Sequence, residues 1–225
     1  MMNRMSNGAC GEVLYSIHRD CELSNRAGDK FLHLCFWSSS MSEEIIKNLG
    51  PLAPLAGEWQ GDKGVDTSRI HSKETVTKYR EKAVFIPIGP VNNGPQKLYG
   101  LRYSMTAWPL DSDDAFHEEL GYWLWDKDNG QVLKTLMVPR GVTVNAGGCV
   151  KVDDKSFRLE AECGSETYGI MSNKFLDETY KTKNYSVDIT IHEDGTFSYK
   201  QDTQLWIPIN AAIFHHTDEN TLHKI

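Results

Sequence analysis

The sequence contains no run of 18 apolar residues, and this absence excludes a conventional transmembrane helix. Basic residues are not in excess either, because 24 Lys and Arg stand against 31 Asp and Glu, for a net charge of −7. That balance argues against binding to nucleic acid or to an anionic membrane through broad electrostatic attraction. The most apolar stretch near the start, residues 31–37, is short and interrupted, so no signal peptide is expected.

Cysteines are few and scattered. The chain has five, an odd number, and no two of them lie close together in the sequence. This spacing fits neither a zinc site nor a disulfide framework. We therefore expect reduced thiols and a cytoplasmic location. The cysteines are Cys10, Cys21, Cys35, Cys149 and Cys163.

The common motifs of enzyme active sites are also missing. The sequence has no nucleophile elbow, no phosphate-binding loop, no dinucleotide-binding glycine pattern and no carboxylate motif for a metal. The adjacent acids Glu118 and Glu119 lie in a predicted strand, where neighbouring side chains point to opposite faces. They are therefore not expected to act as an acid/base pair.

Residues 1–40 differ in character from the rest, since they contain Asn and Ser clusters and no clear periodicity. Ser42 followed by Glu43 and Glu44 is typical of a helix start. We expect residues 1–40 to be a poorly structured extension and residues 41–225 to form one folded domain that begins with a short helix.

From Gly57 onward the pattern predicts β-strands. Apolar and polar residues alternate in several runs, including residues 97–108, 157–163 and 185–192. Asp194-Gly195 between two such runs indicates a hairpin, and Gly130 ends another turn. The predicted fold is all-β, an antiparallel up-and-down barrel of about ten strands. Such a barrel has an interior wider than side chains alone can fill, so we expect a ligand cavity.

The first strand carries a Gly-x-Trp motif with Trp59 between Gly57 and Gly61. The glycines allow a close backbone approach, and the large ring is predicted to plug one end of the barrel. This motif opens many lipocalin-like barrels, so by itself it indicates only a barrel class.

The sequence around this motif and several later segments resemble the nitrobindin family of fatty-acid-binding-protein-like, haem-binding barrels. Residues 54–61 match the family's leading Pro-Leu and Gly-x-Trp-x-Gly, and residues 117–122 match its His-x-Glu-x-Gly-Tyr strand. Residues 141–144 resemble a mid-barrel segment of the family. One departure is that Gly64 lies one residue later than the family's last glycine, so the sequence resembles an outlying branch.

The resemblance implies that a histidine near the C-terminus binds the iron of haem b. Two adjacent residues are candidates, with His216 placed first as the metal ligand and His215 second. A ligand histidine needs an acceptor for its other ring nitrogen, and Asp218 or a backbone carbonyl would serve. Taken alone, the segment is also typical of a solvated turn.

The resemblance further places His117 on the open side of the haem, where it would shape the pocket without binding iron. The alternative is a polar strand residue paired with Glu118 or Glu119. Three tryptophans, Trp123, Trp125 and Trp206, are candidates for a cavity wall, although such rings more commonly form core.

The resemblance implies a haem-binding barrel that converts peroxynitrite to nitrate at ferric haem. An alternative is a non-enzymatic carrier that holds a fatty acid or another small apolar ligand in the barrel cavity. A third interpretation is a structural barrel with a filled interior and protein partners only.

Overall fold

The computed structural model describes residues 43–70 and 73–225. The predicted extension, residues 1–40, lies outside these residues. Residues 43–47 form a short helix, α1, where the sequence predicts one, and a 3-10 helix, η1 (Gly50–Leu55), follows it. No helix among the described residues is long and apolar enough to cross a membrane.

The described residues form eleven strands, which confirms the predicted all-β class. Two further short helices, α2 (Lys174–Thr179) and η2 (Pro208–Asn210), precede β9 and β11. The strands are β1 (Gly57–Ile70), β2 (Lys73–Asn93), β3 (Gln96–Pro109), β4 (His117–Asp126), β5 (Gln131–Val138), β6 (Val142–Cys149), β7 (Ser156–Cys163), β8 (Gly169–Met171), β9 (Lys181–Ile191), β10 (Phe197–Ile207) and β11 (Ala212–Lys224).

The strands close into one barrel because β1 pairs with both β2 and β11. Neighbouring strands are antiparallel except for the three-residue β8, which runs parallel to β7. The barrel is therefore mixed, and it has one strand more than the sequence predicted. Full closure leaves no long unpaired edge, which is the usual solution for a sheet of this size.

The predicted hairpin turns are confirmed. Gly195 has φ 82° and donates its N–H to the carbonyl of His192, and β10 begins two residues later. Gly130 has φ 58° and donates to the carbonyl of Lys127. Positive φ is the conformation that favours glycine, which explains why glycine stands at both turns.

One end of the barrel is covered by η1, and we call it the closed end. Leu52 and Leu55 of η1 are buried in the core, as is Trp59 of β1. The Trp59 ring meets Phe197 edge to face at 4.8 Å, and its Nε1 donates to the carbonyl of Leu55 at 2.7 Å. The prediction that this ring plugs one end is thus supported by both apolar packing and a satisfied polar group.

The opposite end is where β1 and β10 finish and where β4 and β11 begin. We call it the histidine end because His117 and His216 lie there with Asp66. Antiparallel alternation puts polar side chains on the inner face of the barrel at this end. The interior is therefore apolar towards the closed end and rich in ionisable groups towards the histidine end.

Candidate functional site

The displaced glycine of the first motif is explained by a bulge in β1. Gly61 pairs with Glu81 and Gly64 pairs with Tyr79, so β1 uses one more residue than β2 over this stretch. The bulge absorbs the extra residue, and Gly64 and Asp66 both remain on the inner face. A side chain at Gly64 would collide with the Tyr79 ring, so glycine is required there.

His216 of β11 points inward and contacts a buried carboxylate. Its Nε2 lies 2.6 Å from Oδ2 of Asp66 on the neighbouring strand β1. Burial lowers the pKa of His216, but the hydrogen bond and the charge of Asp66 outweigh this effect, so the pKa is raised. Asp66 was not a candidate from sequence, and it occupies the acceptor role for which Asp218 had been considered.

His215 points outward instead, because adjacent residues of a strand face opposite sides. Its Nδ1 lies 2.8 Å from Oδ2 of Asp202, and its side chain is 58% exposed, against 36% for His216. The two candidate ligands are therefore clearly separated, with only His216 on the inner face.

His117, the first residue of β4, also lies on the inner face. Its Nε2 is 3.8 Å from Oε2 of the buried Glu119, whereas Glu118 is exposed, so the two acids face opposite sides as predicted. Burial lowers the pKa of His117, but the nearby Glu119 carboxylate and the charge of Asp218 outweigh this effect, so the pKa is raised. The charge of His117 also lowers the pKa of His216, so the two rings interact electrostatically.

Below the histidines lies a buried ion pair. Nζ of Lys134 is 3.2 Å from Oε1 of Glu119, and Tyr103 donates its hydroxyl to the same oxygen at 3.0 Å. Burial favours the neutral acid, but the interactions with Lys134 and His117 together outweigh it and lower the pKa of Glu119 to about 2. Both groups are therefore ionised at neutral pH.

The ion pair continues as a chain of hydrogen bonds. Lys134 donates to the hydroxyl of Tyr185 at 2.8 Å, and Tyr185 donates to Oε1 of Gln201 at 2.5 Å. Gln201 then donates to Oδ1 of Asp218 at 3.0 Å. These hydrogen bonds thus link the Glu119–Lys134 ion pair, which lies beneath His117, to the carboxyl group of Asp218, two residues after His216. Burial raises the pKa of Asp218 to about 6.

Glu81 of β2 forms a second buried polar group in the interior. The hydroxyl of Tyr199 donates to its Oε2 at 2.7 Å, and Nδ2 of Asn220 donates to the same oxygen at 3.0 Å. Tyr79 and Tyr199 share a hydrogen bond of 2.7 Å between their hydroxyls. Burial raises the pKa of Glu81 to about 7, and the two donors offset only part of that effect.

These side chains fill most of the interior. The cavity that remains between them has a volume of about 30 Å³, which is roughly the volume of one water molecule in the liquid. The expected wide cavity is therefore not found there, because Tyr, Trp, Lys and Glu side chains occupy the space. A fatty acid has no room in this cavity; a larger pocket, of about 480 Å³, lies at the closed end beside Trp59 and Phe197.

The tryptophan candidates have different positions. Trp123 lines the small cavity, and its Nε1 is buried with no hydrogen-bond partner among the described residues. Trp125 is buried next to Gly50 of η1 at the closed end, and Trp206 is only half-buried. Only Trp123 therefore meets the prediction of a cavity wall.

Some of the inner polar residues were missed in the sequence although a signal was present. Lys134 alternates with Val132 and Leu136, two buried apolar residues, so the pattern itself predicts an inward lysine. Asp66 had no such signal, because the bulge in β1 interrupts the alternation before it.

The donor set at the histidine end fits one axial ligand of a haem. Within the described residues no group of three or more His, Cys, Asp or Glu side chains could hold a bare metal ion. A haem iron needs only one protein ligand, and His216 has one ring nitrogen held by a carboxylate with the other nitrogen left over, as metal-binding histidines commonly do.

Comparisons with known proteins agree with this fold. The family model described as "THAP4-like, heme-binding beta-barrel domain" matches residues 48–224. The crystal structure of Rv2717c from M. tuberculosis is similar to this chain, with a TM-score of 0.59 and 20% sequence identity over 79% of this chain and 97% of that chain. At this identity the likeness shows a shared fold alone. No match was found among curated proteins.

Proposed function

Because the chain belongs to the THAP4-like haem-binding β-barrel domain family, we propose that it binds haem at the histidine end with His216 as the axial ligand. One observation carries the proposal, which is the inward His216 ring with its Nε2 at 2.6 Å from the buried Asp66 carboxylate. A haem ligand needs a fixed ring with one free nitrogen, and this pair supplies it.

The haem is proposed to be haem b. The sequence contains no Cys-x-x-Cys-His segment, which is the motif that attaches c-type haem covalently. A single imidazole from β11 would then be the bond between protein and iron, and packing at the barrel mouth would hold the rest of the group. His117, the other inward histidine, would face the haem without serving as its ligand.

A further part of the proposal, taken from the resemblance to nitrobindins, is the conversion of peroxynitrite to nitrate. When bound, ferric haem would supply the metal centre for this chemistry. The chain contributes His216 to anchor the iron and His117 as a hydrogen-bond donor on the inner face. The Glu119–Lys134 ion pair beneath His117 keeps the charge there fixed.

A haemin titration tests the binding proposal. The wild-type protein is expected to give a Soret band that saturates at one haemin per chain, and His216→Ala should shift that band or abolish saturable binding. His215→Ala is the matched control, because it removes the neighbouring ring from the outer face and should leave the band unchanged. No haem-dependent band in the wild type, or equal effects of the two substitutions, would refute the proposal.

A further inference from the structure

We infer that Asp66 is a positioning residue for the axial histidine and that it makes His216 a more electron-rich ligand. The inference rests on the proposed function, since it concerns how His216 would bind iron. The carboxylate accepts the ring N–H, fixes which nitrogen carries the proton, and leaves the other nitrogen as the donor.

The contact between the two side chains is short and sheltered. The distance of 2.6 Å between Nε2 and Oδ2 is that of a charge-assisted hydrogen bond. The side chain of Asp66 is only 6% exposed, so water competes weakly for the carboxylate. A buried carboxylate without a donor is costly, and His216 is the hydrogen-bond partner of its Oδ2.

The backbones of two paired strands hold Asp66 and His216 in place. Strands β1 and β11 are hydrogen-bonded neighbours, with Asp66 opposite Asp218 and Thr67 opposite Thr217, so Asp66 and His216 lie diagonally across one ladder. The bulge after Gly61 keeps Asp66 on the inner face despite the extra residue in β1. The displaced glycine Gly64 and the carboxylate of Asp66 therefore lie in the same part of β1, just after the bulge.

Asp218 is the other carboxyl near His216, and it has a different partner. Its Oδ1 accepts from Nε2 of Gln201 at 3.0 Å, within the chain of hydrogen bonds that begins at Lys134. Asp66 is thus the carboxylate that orients the ring. On the outer face, Asp202 and His215 form a chemically similar but exposed pair, which provides an internal control.

The first test needs no haem. In the apo protein at neutral pH, ¹⁵N-edited NMR should show a slowly exchanging, downfield ring N–H for His216 that disappears in Asp66→Asn. The exposed His215 should show no such protected proton. Absence of a protected His216 ring proton in the wild type would overturn the inference, and this reading needs no variant to fold.

The second test is the ferric/ferrous equilibrium of the haem-loaded protein. Asp66→Asn should favour the ferrous state by at least tenfold, a rise in reduction potential of about 59 mV for a one-electron couple. Asp66→Glu, which keeps the carboxylate, should recover part of the difference, and Asp202→Asn should match the wild type. Equal potentials for wild type and Asp66→Asn would overturn the inference.

The two proposals fail in different ways. If the wild type does not bind haemin, the proposed function fails together with any tuning of iron, while the apo NMR reading still decides whether Asp66 orients His216. If haemin binds through His216 but the potential does not respond to Asp66→Asn, only the inference about Asp66 fails.

Discussion

The two ends of the barrel interior are filled in opposite ways. At the closed end the inner residues are apolar, and the one polar group of Trp59 donates to a backbone carbonyl. At the histidine end the inner residues include two paired carboxylates, Asp66 with His216 and Glu119 with Lys134. The first arrangement follows from the hydrophobic effect, whereas the second is costly to build and is typical of functional sites.

Buried ion pairs are weak evidence for stability, because the loss of hydration offsets most of the attraction between the charges. Lys134 nevertheless lies 5% exposed among the rings of Tyr103, Trp123 and Tyr185, all within 5.7 Å of its Nζ. Lys134, held among these rings, keeps the Glu119 carboxylate ionised beneath His117. The closed end therefore stabilises the fold, whereas the buried charges of the histidine end reduce the stability and create a defined electrostatic environment.

The largest expected effect comes from breaking the closed end. Trp59→Ala removes a buried ring and its hydrogen bond, and we expect a loss of about 4 kcal/mol in the free energy of unfolding. Urea unfolding followed by circular dichroism measures it, with Trp59→Phe as a control that keeps the contact with Phe197. Haemin binding per folded molecule should not change, and a loss of the Soret band comparable to that of His216→Ala would contradict the division between the ends.

Breaking the ion pair at the other end should cost somewhat less. Lys134→Met leaves the Glu119 carboxylate buried without its main partner, and we expect a loss of about 3 kcal/mol. The double variant Glu119→Gln/Lys134→Met should recover most of the stability, because no uncompensated charge remains. The same urea experiment checks both, and a double variant less stable than the single one would show that the pair is itself a net source of stability.

An effect of similar total size, but spread over several pH units, is a pH dependence from Glu81. Its pKa is about 7 in the folded protein against 4.5 in the unfolded chain, so between these values the folded state holds a proton that the unfolded state has lost. Stability from this group is complete below pH 4.5 and falls as pH rises to about 7, by at most about 3 kcal/mol.

Glu81→Gln removes the carboxyl group that takes up this proton on folding. The stability of the wild type relative to this variant should therefore fall from pH 4.5 to pH 8, as measured by urea unfolding at several pH values. Glu58→Gln, which removes an exposed acid paired with Lys82, should change stability by less than about 1 kcal/mol throughout. A difference between wild type and Glu81→Gln that does not vary with pH would contradict the role of burial at Glu81.

Local sequence patterns predict much of this fold but little of the site. Alternation and turn glycines are local signals, and they predict the strands and the hairpins at Gly130 and Gly195; the same alternation carries a signal for the inward Lys134, which was missed in the sequence. The pair Asp66–His216 joins residues 150 positions apart, and it depends on closure of β1 against β11 and on a bulge that resets the alternation. Strand register across the closing pair is not encoded in either strand alone, which is why the acceptor for His216 could not be chosen in advance.

The central claim, that His216 is the protein ligand of haem iron, is tested most directly by chemical rescue. His216→Gly removes the ring and leaves its space on the inner face, so haemin alone should give no wild-type Soret band. Addition of free imidazole should restore haemin binding in His216→Gly, whereas His215→Gly should give the wild-type band with haemin alone. A wild-type band in His216→Gly without imidazole would contradict the claim.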